Sequence, residues 1–157
     1  MGLRRKAREA ALQLLYQLEF EPGEGEDGRR KYWSQRRADK AVREYADRLF
    51  RTVLERREEV DALLRSVSRH WRLERMSVVD RNILRLASVE LLLGEADPAV
   101  VIDEAIEVAR TYGSGESAAF VNGILDALSR KLGRSPEGGR EKIHGKKTGT
   151  ESGKKAD

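Results

Sequence analysis

Residues 78–93 constrain the fold most, because they are apolar around almost the whole circumference of a helix. Ser77, followed three residues later by Asp80, resembles a capping box at the start of this helix, and Gly94 is the residue type that ends helices. Its polar strip is limited to Arg81, Arg85 and Ser88. A helix that is apolar on most sides must be covered by several other elements, so the sequence predicts a bundle built around it.

The other segments up to residue 133 also have the spacing of amphipathic helices, and the chain contains only three prolines. We expect a first helix over 3–20, one long helix or two within 38–67, a connection over 70–76, a helix over 97–112 and a last helix from 114 or 115 to 132. Pro22 to Gly28 is rich in glycine and is predicted to be a flexible loop. The predicted fold class is all-α, a compact bundle of about six or seven helices.

The distribution of charge separates a body from a tail. Residues 1–133 are expected to form one helical domain, and 134–157 a disordered basic tail of mostly Gly, Ser, Lys and Glu. The tail carries seven Lys or Arg and four Asp or Glu, so it supplies +3 of the formal net charge of +4. Any nucleic-acid surface on the body must therefore come from local clustering of cations.

Composition excludes several classes of protein. The chain has no cysteine, no secretory signal and no apolar run long enough to cross a membrane, so we expect a cytoplasmic protein without disulfides. Its two histidines, His70 and His144, are far apart in the sequence, so no metal site is predicted. No cofactor is predicted either. No catalytic triad or phosphate-binding glycine loop is recognisable, so we do not expect an enzyme.

The start of the first helix is strongly basic, with Arg4, Arg5, Lys6 and Arg8 in its first turns. Cations at a helix N-terminus oppose the helix dipole, at a cost of about 0.3–1 kcal/mol each. Their placement suggests a role other than stability. Two interpretations stay open at this point, a surface that binds phosphates and a solvated helix end.

The first helix also has apolar side chains outside its core-facing arc. By the helical period Leu3 lies on this arc, whereas Leu12 and Tyr16 lie off it, on the flank of the arginines. Either a second layer of helices covers this pair, or the pair forms a surface for a partner.

Two further side chains deviate from their helical patterns. Phe120 lies off the core stripe of the last helix, beside Glu116 and Gly123, where it either stacks on a base or packs against a neighbouring helix that Gly123 lets approach. Glu90 falls inside the apolar arc of the central helix. A buried carboxylate needs a partner, so we expect a structural ion pair or hydrogen bond there.

Four segments, in this order and spacing, resemble the NusB family of bacterial antitermination factors. They are RRKARE at 4–9 leading to Leu15-Tyr16, VDRNILRLA at 79–87 with Glu90-Leu91, VIDEAIEVA at 101–109 with Tyr112-Gly113, and Ser117 with FVNGILD at 120–126. The resemblance covers residues 3 to about 132. It implies an all-helical fold, often described as two perpendicular three-helix units, and no enzymatic activity.

The resemblance also implies partners and site residues. Family members bind the boxA element of nascent ribosomal RNA with the ribosomal protein NusE, and the pair joins NusA and NusG on RNA polymerase; some relatives form homodimers. The RNA-contacting positions of the family match Arg4, Arg5, Lys6, Arg8, Glu116 and Phe120, and its NusE-contacting positions match Tyr16 and Asp80. Many relatives have a basic residue just before the matching Phe, where this chain has Ala118-Ala119.

Three other functions compete with antitermination. The chain could be a helical dimerisation or scaffold module in ribosomal RNA biogenesis without specific RNA readout. A NusB-like domain also occurs in ribosomal RNA cytosine methyltransferases, but since the sequence has no cysteine to match their catalytic ones, we do not expect that activity or their α/β cofactor domain here. A DNA-binding regulator is disfavoured because no helix-turn-helix spacing is present.

Overall fold

The computed structural model describes residues 2–134, and within this range the chain forms seven α-helices, one short 3-10 helix and no strand. The α-helices are α1 Leu3–Phe20, α2 Gly25–Ser34, α3 Lys40–Glu55, α4 Arg57–Val67, α5 Val78–Leu93, α6 Pro98–Tyr112 and α7 Ser117–Lys131. The 3-10 helix, Leu73–Arg75, lies in the predicted connection between α4 and α5. The predicted all-α bundle is confirmed, and the predicted tail from residue 135 onward lies outside the described residues.

Helix α5 is the centre of the bundle, as its sequence predicts. Every residue from 82 to 91 is buried, and α5 packs against α1, α3, α4, α6 and α7. The hydroxyl of Ser77 accepts a hydrogen bond from the backbone N–H of Asp80 at 3.0 Å, and Gly94 ends the helix with φ +69°. The predicted polar strip is not a solvated face, because Arg85 and Ser88 are both buried.

Helix α1 has the predicted bounds but not quite the predicted core face. Leu3 was expected in the core and is 47% exposed, since it lies in the first turn at the rim of the bundle. Leu12 was expected outside the core and is only 3% exposed. Side chains from α5 and α6, Val79 and Tyr112, line one groove with Leu12 and cover that flank.

The segment after α1 differs most from expectation, because the predicted loop over 22–28 contains the first turns of α2. Each glycine in a helix costs about 1 kcal/mol relative to alanine. Burial of Tyr32 and Trp33 offsets this cost, since burying a large apolar side chain contributes about 1.5–3 kcal/mol. The Tyr32 hydroxyl also donates to Gln13 at 2.6 Å, and the Trp33 indole donates to Asp47 at 2.7 Å.

The remaining helices follow local signals closely. The helical stretch over 38–67 is two helices, because the chain turns at Arg56 between α3 and α4. At the start of α6 the carboxylate of Asp97 accepts from the backbone N–H of Ala99 at 2.8 Å. Helix α7 begins two or three residues later than predicted. Among the described helices, none is both long enough and apolar enough to cross a membrane.

Candidate nucleic-acid interface

The four cations at the start of α1 divide into two exposed and two paired side chains. Arg4 and Lys6 are exposed, and the guanidinium of Arg4 lies 4.9 Å from the ring centre of Tyr45. Arg5 donates from Nε and Nη2 to the Glu104 carboxylate on α6, at 2.8 and 2.6 Å. Hydrogen bonding from Arg5 lowers the pKa of Glu104, so this pair is charged at neutral pH.

Arg8 does not belong to an open cationic surface. It is only 7% exposed, and its Nε and Nη2 donate to the buried carboxylate of Glu90 at 2.7 and 2.8 Å. The expected pairing of Glu90 is thereby confirmed, and the expected presentation of Arg8 beside the other cations is corrected. The physical reason is that α5 places Glu90 against this side of α1, where an unpaired carboxylate would be strongly unfavourable.

Tyr45 completes this buried cluster. Its hydroxyl donates to Glu90 at 2.6 Å, so the carboxylate accepts from two side chains on two helices, α1 and α3. Burial, with the hydrogen bond to Glu90, raises the pKa of Tyr45 to about 12. Arg8, Glu90 and Tyr45 therefore fix the start of α1 against α3 and α5.

A second ionic cluster fixes the other end of α1. Glu19 accepts from Arg81 at 2.9 Å and from Arg85 at 3.1 Å, both on α5. Arg85 also donates to both carboxylate oxygens of Asp61 on α4, at 2.9 and 3.1 Å. With both ends of α1 tied to α5, the exposed side chains of α1 are presented from a rigid element.

Phe120 is one half of an aromatic pair. Its half-buried ring packs edge-on against Trp71, with ring centres 5.6 Å apart and an interplanar angle of 82°. Trp71 is 60% exposed and lies between α4 and α5. Sequence reasoning missed this tryptophan, although a Trp within the basic run Arg69 to Arg72 is a signal that could have been noticed.

The neighbours of Phe120 bear on the two alternatives for its ring. Glu116 is exposed just before α7. Gly123 is exposed as well, and a side chain added there would meet no described atom within 4 Å. The suggestion that Gly123 admits a closely packed helix is therefore wrong.

Tyr16 borders an open groove. It is 44% exposed and packs on Phe20 with ring centres 5.0 Å apart. The groove has a volume of about 400 Å³ and is lined mainly by Leu12, Gln13, Tyr16, Arg36, Val79 and Tyr112. Asp80 follows Val79, and its buried Oδ1 accepts no hydrogen bond from any described residue. Of the two predicted partner-binding residues, Tyr16 therefore presents an exposed ring, whereas Asp80 is half-buried.

Metal ligation finds no support within residues 2–134, where no three His, Asp or Glu side chains are grouped to hold an ion. What the described surface offers is chemistry for recognition: exposed cations, an aromatic pair and an apolar groove.

Members of one protein family are similar to this chain in sequence and in fold. A model of the NusB family matches residues 5–130. The transcription antitermination protein NusB of Koribacter versatilis is 42% identical over 133 residues, which cover 83% of this chain and 91% of that protein. The protein of the same name from Sorangium cellulosum is 45% identical over 135 residues, which cover 85% and 96%.

Solved structures give the same result. The structure of T. maritima NusB is 39% identical, with a TM-score of 0.75, and the match covers 88% of this chain and 96% of that one. A chain in a complex of the antitermination factors NusB and NusE with dsRNA is 27% identical, with a TM-score of 0.75 and coverage of 83% and 98%.

Proposed function

Because the chain belongs to the NusB family, we propose that it is a transcription antitermination factor that binds boxA RNA of nascent ribosomal transcripts together with NusE. In this proposal it acts by binding and not by catalysis, and joins NusA and NusG on RNA polymerase. The observation that carries the proposal is the pair of exposed cations, Arg4 and Lys6, on a helix that ion pairs fix at both ends. The relatives named above supply the biological context.

The cations provide the affinity for the RNA backbone. Each phosphate that a lysine or arginine neutralises on a single strand releases counterions and adds about 0.7 to the slope of log affinity against log salt. Arg4 and Lys6 are available for such contacts, and Arg5 contributes less because Glu104 already binds it. Arg8 serves as a positioning residue for α1 and does not itself touch RNA.

The aromatic pair provides contact with bases. An exposed Trp71 ring beside Phe120 is an apolar surface on which an unpaired base can stack. Such stacking is worth about 1–3 kcal/mol per base when measured by alanine substitution. Single-stranded RNA is the favoured ligand because its bases are free to stack, and Trp71 belongs to the proposed site along with Phe120 and Glu116.

NusE is proposed to bind at the groove beside Tyr16. An exposed tyrosine on an apolar groove is typical of an interface residue that buries its ring and keeps a hydroxyl for hydrogen bonding. Asp80 is half-buried next to Val79 of this groove, and its carboxylate would accept a hydrogen bond from the partner or pair with one of its cations.

A titration of labelled boxA-type RNA against a scrambled RNA, with and without NusE and at two salt concentrations, tests the proposal. We expect a preference for boxA that increases when NusE is added. The variants Arg4→Gln and Lys6→Gln should each lower affinity about fourfold at 0.15 M salt, since each removes one cation that releases counterions. Lys131→Gln removes an equally exposed cation that forms no ion pair among the described residues, from the last turn of α7 about 16 Å along the helix from Phe120, and should change nothing.

Two results would contradict the proposal in different ways. Equal binding to both RNAs, unaffected by NusE, would reject boxA antitermination as the function. Selective binding that survives both Arg4→Gln and Lys6→Gln would leave the function standing and move the RNA surface away from α1.

A further inference from the structure

A second cationic surface lies beside the α1 cations, on the flank where α2 ends and α3 begins. It is an open cleft of about 550 Å³, lined mainly by Lys6, Tyr32, Trp33, Arg36, Arg37 and Asp39. Lys6 and Ala10 form the α1 wall, and Val42 contributes from α3. The cleft belongs to a segment, residues 32–39, to which neither the sequence nor the family resemblance assigned a role.

The charges of this cleft are largely unbalanced. Lys6, Arg36 and Arg37 are exposed, and none of them forms an ion pair with another residue in the described part of the chain. Asp39 is the only carboxylate among the described lining residues. Most exposed arginines of α2 and α3 are paired with a carboxylate, as Arg30 is with Asp27, so the free cations of the cleft are a local departure from the pattern.

Arg36 is held in a defined orientation within the cleft. Its guanidinium lies over the Tyr32 ring at 3.8 Å from the ring centre, and its Nη1 donates to the Tyr32 carbonyl oxygen at 3.3 Å. Tyr32 is itself buried and its hydroxyl donates a hydrogen bond to Gln13, so the ring beneath the guanidinium is held in place. A guanidinium plane fixed on one face and exposed on the other is a surface on which a nucleobase stacks.

We propose that this cleft is a second contact site for single-stranded RNA, with Lys6 and Arg37 on phosphates and Arg36 stacked on a base. The inference rests on the proposed function, because Lys6 belongs both to the α1 cations and to the cleft and so makes the two surfaces continuous. RNA thus runs from the start of α1 past Lys6 toward the start of α3.

An acidic protein segment is the competing occupant, and the geometry favours RNA over it. Carboxylates of a peptide would pair with the cations but would leave the exposed face of the Arg36 guanidinium without a planar partner. A nucleotide satisfies both features, since it joins a phosphate to a flat base. Arg36 also lines the groove beside Tyr16, whereas Arg37 lines only the cleft, so Arg37 separates the two surfaces experimentally.

The test is an RNA titration in the absence of NusE, using the full chain and the boxA-type RNA with several flanking nucleotides on each side. Arg37→Gln should weaken binding about fourfold at 0.15 M salt, and Arg36→Gln with Arg37→Gln about fifteenfold, while the salt slope becomes shallower by about 0.7 for each phosphate that is no longer neutralised. Lys131→Gln is the matched control, because Lys131 is exposed, forms no ion pair among the described residues and does not line the cleft. All these side chains are exposed, and thermal melts should be unchanged.

The outcomes separate the cleft from the proposed function. The cleft proposal alone would be overturned if Arg37→Gln and the double variant kept the affinity and salt slope of the parent chain while the parent chain still selected boxA. Unchanged RNA binding together with weaker NusE binding would also overturn it, and would assign the cleft to the protein partner. Failure of the parent chain to bind RNA both without and with NusE would overturn both proposals.

Discussion

The substitution Arg8→Met tests whether Arg8 is a structural residue or an RNA contact. It removes the guanidinium but keeps an unbranched apolar stem of similar length in a site that is only 7% exposed. Glu90, which is 4% exposed, would keep the hydrogen bond from Tyr45 and lose its cationic partner. The perturbation therefore leaves a buried carboxylate without charge compensation.

The expected cost follows from this burial. Removing one partner of a buried ion pair destabilises a protein by about 3–5 kcal/mol. We place Arg8→Met at the lower end, about 3 kcal/mol, because Tyr45 still donates to the carboxylate. For a helical domain of this size the corresponding drop in Tm is about 10 °C.

Urea denaturation at neutral pH, followed by circular dichroism, measures the change in the free energy of unfolding. Lys6→Met is the matched control, since it removes an exposed cation from the same helix and should cost less than about 0.5 kcal/mol. The double variant Arg8→Met with Glu90→Met should recover most of the stability, because two apolar side chains replace both buried charges.

The refuting result is equally specific. If Arg8→Met left the unfolding free energy within about 0.5 kcal/mol of the parent while it weakened RNA binding, Arg8 would be a nucleic-acid contact. Arg8 would then lack the structural role that its burial indicates.

Two further predictions concern the pH dependence of stability and the ionisable side chains that hold α2 and α3 in place. Tyr45→Phe should cost about 1–2 kcal/mol at pH 7, because Glu90 loses a buried hydrogen bond. Since the pKa of Tyr45 is raised from 10 to about 12, its contribution to stability is full below pH 10 and is lost as pH rises towards 12. Urea titrations across this range should show a smaller alkaline loss in the variant, and an identical loss would refute the assignment. Glu26→Gln should destabilise α2 by about 0.2–1 kcal/mol, because its half-exposed carboxylate is bound by Arg51 and Arg29. Those hydrogen bonds lower the pKa of Glu26 from 4.5 to about 2, so its contribution is present above pH 4.5 and lost as pH falls towards 2. Amide exchange in α2 measures this, and equal exchange in both proteins at pH 6 would contradict it.

Local chemistry accounts for the elements that the sequence predicted well. The start of α5 at Ser77 and its end at Gly94 depend on one hydrogen-bonding hydroxyl and one left-handed backbone conformation. The start of α6 depends in the same way on Asp97 and the following proline. Such capping signals act within a few residues of the helix end, so they can be recognised from the sequence without the tertiary structure.

The elements that the sequence missed depend on distant partners. Helix α2 contains Gly25 and Gly28, and its stability comes from Tyr32 and Trp33, whose hydrogen-bonding partners lie on α1 and α3. The pairing of Trp71 with Phe120 joins segments that are almost fifty residues apart. Without the tertiary fold, neither partner indicates that the other is near.

The same limit applies within the candidate site. Arg8 and Lys6 are two residues apart and chemically alike, but the helical period places them about 200° apart around α1. Which of the two is covered depends on α5, which brings Glu90 against Arg8. Periodicity therefore implies that the two cations point in different directions, but it does not show which of them is buried.

Two of the four cations at the start of α1 are paired with carboxylates and two are exposed. This explains how cations that the helix dipole disfavours can still form a binding surface. Arg5 and Arg8 are neutralised by Glu104 and Glu90, so the field that reaches solvent comes mainly from Arg4 and Lys6. The inner ion pairs join α1 to α5 and α6, and a ligand therefore meets cations on an element that is already ordered. Less conformational entropy is lost on binding than with cations on a mobile end. The paired arginines and the exposed cations thus contribute to the same affinity, the first by fixing the helix and the second by contacting the phosphates.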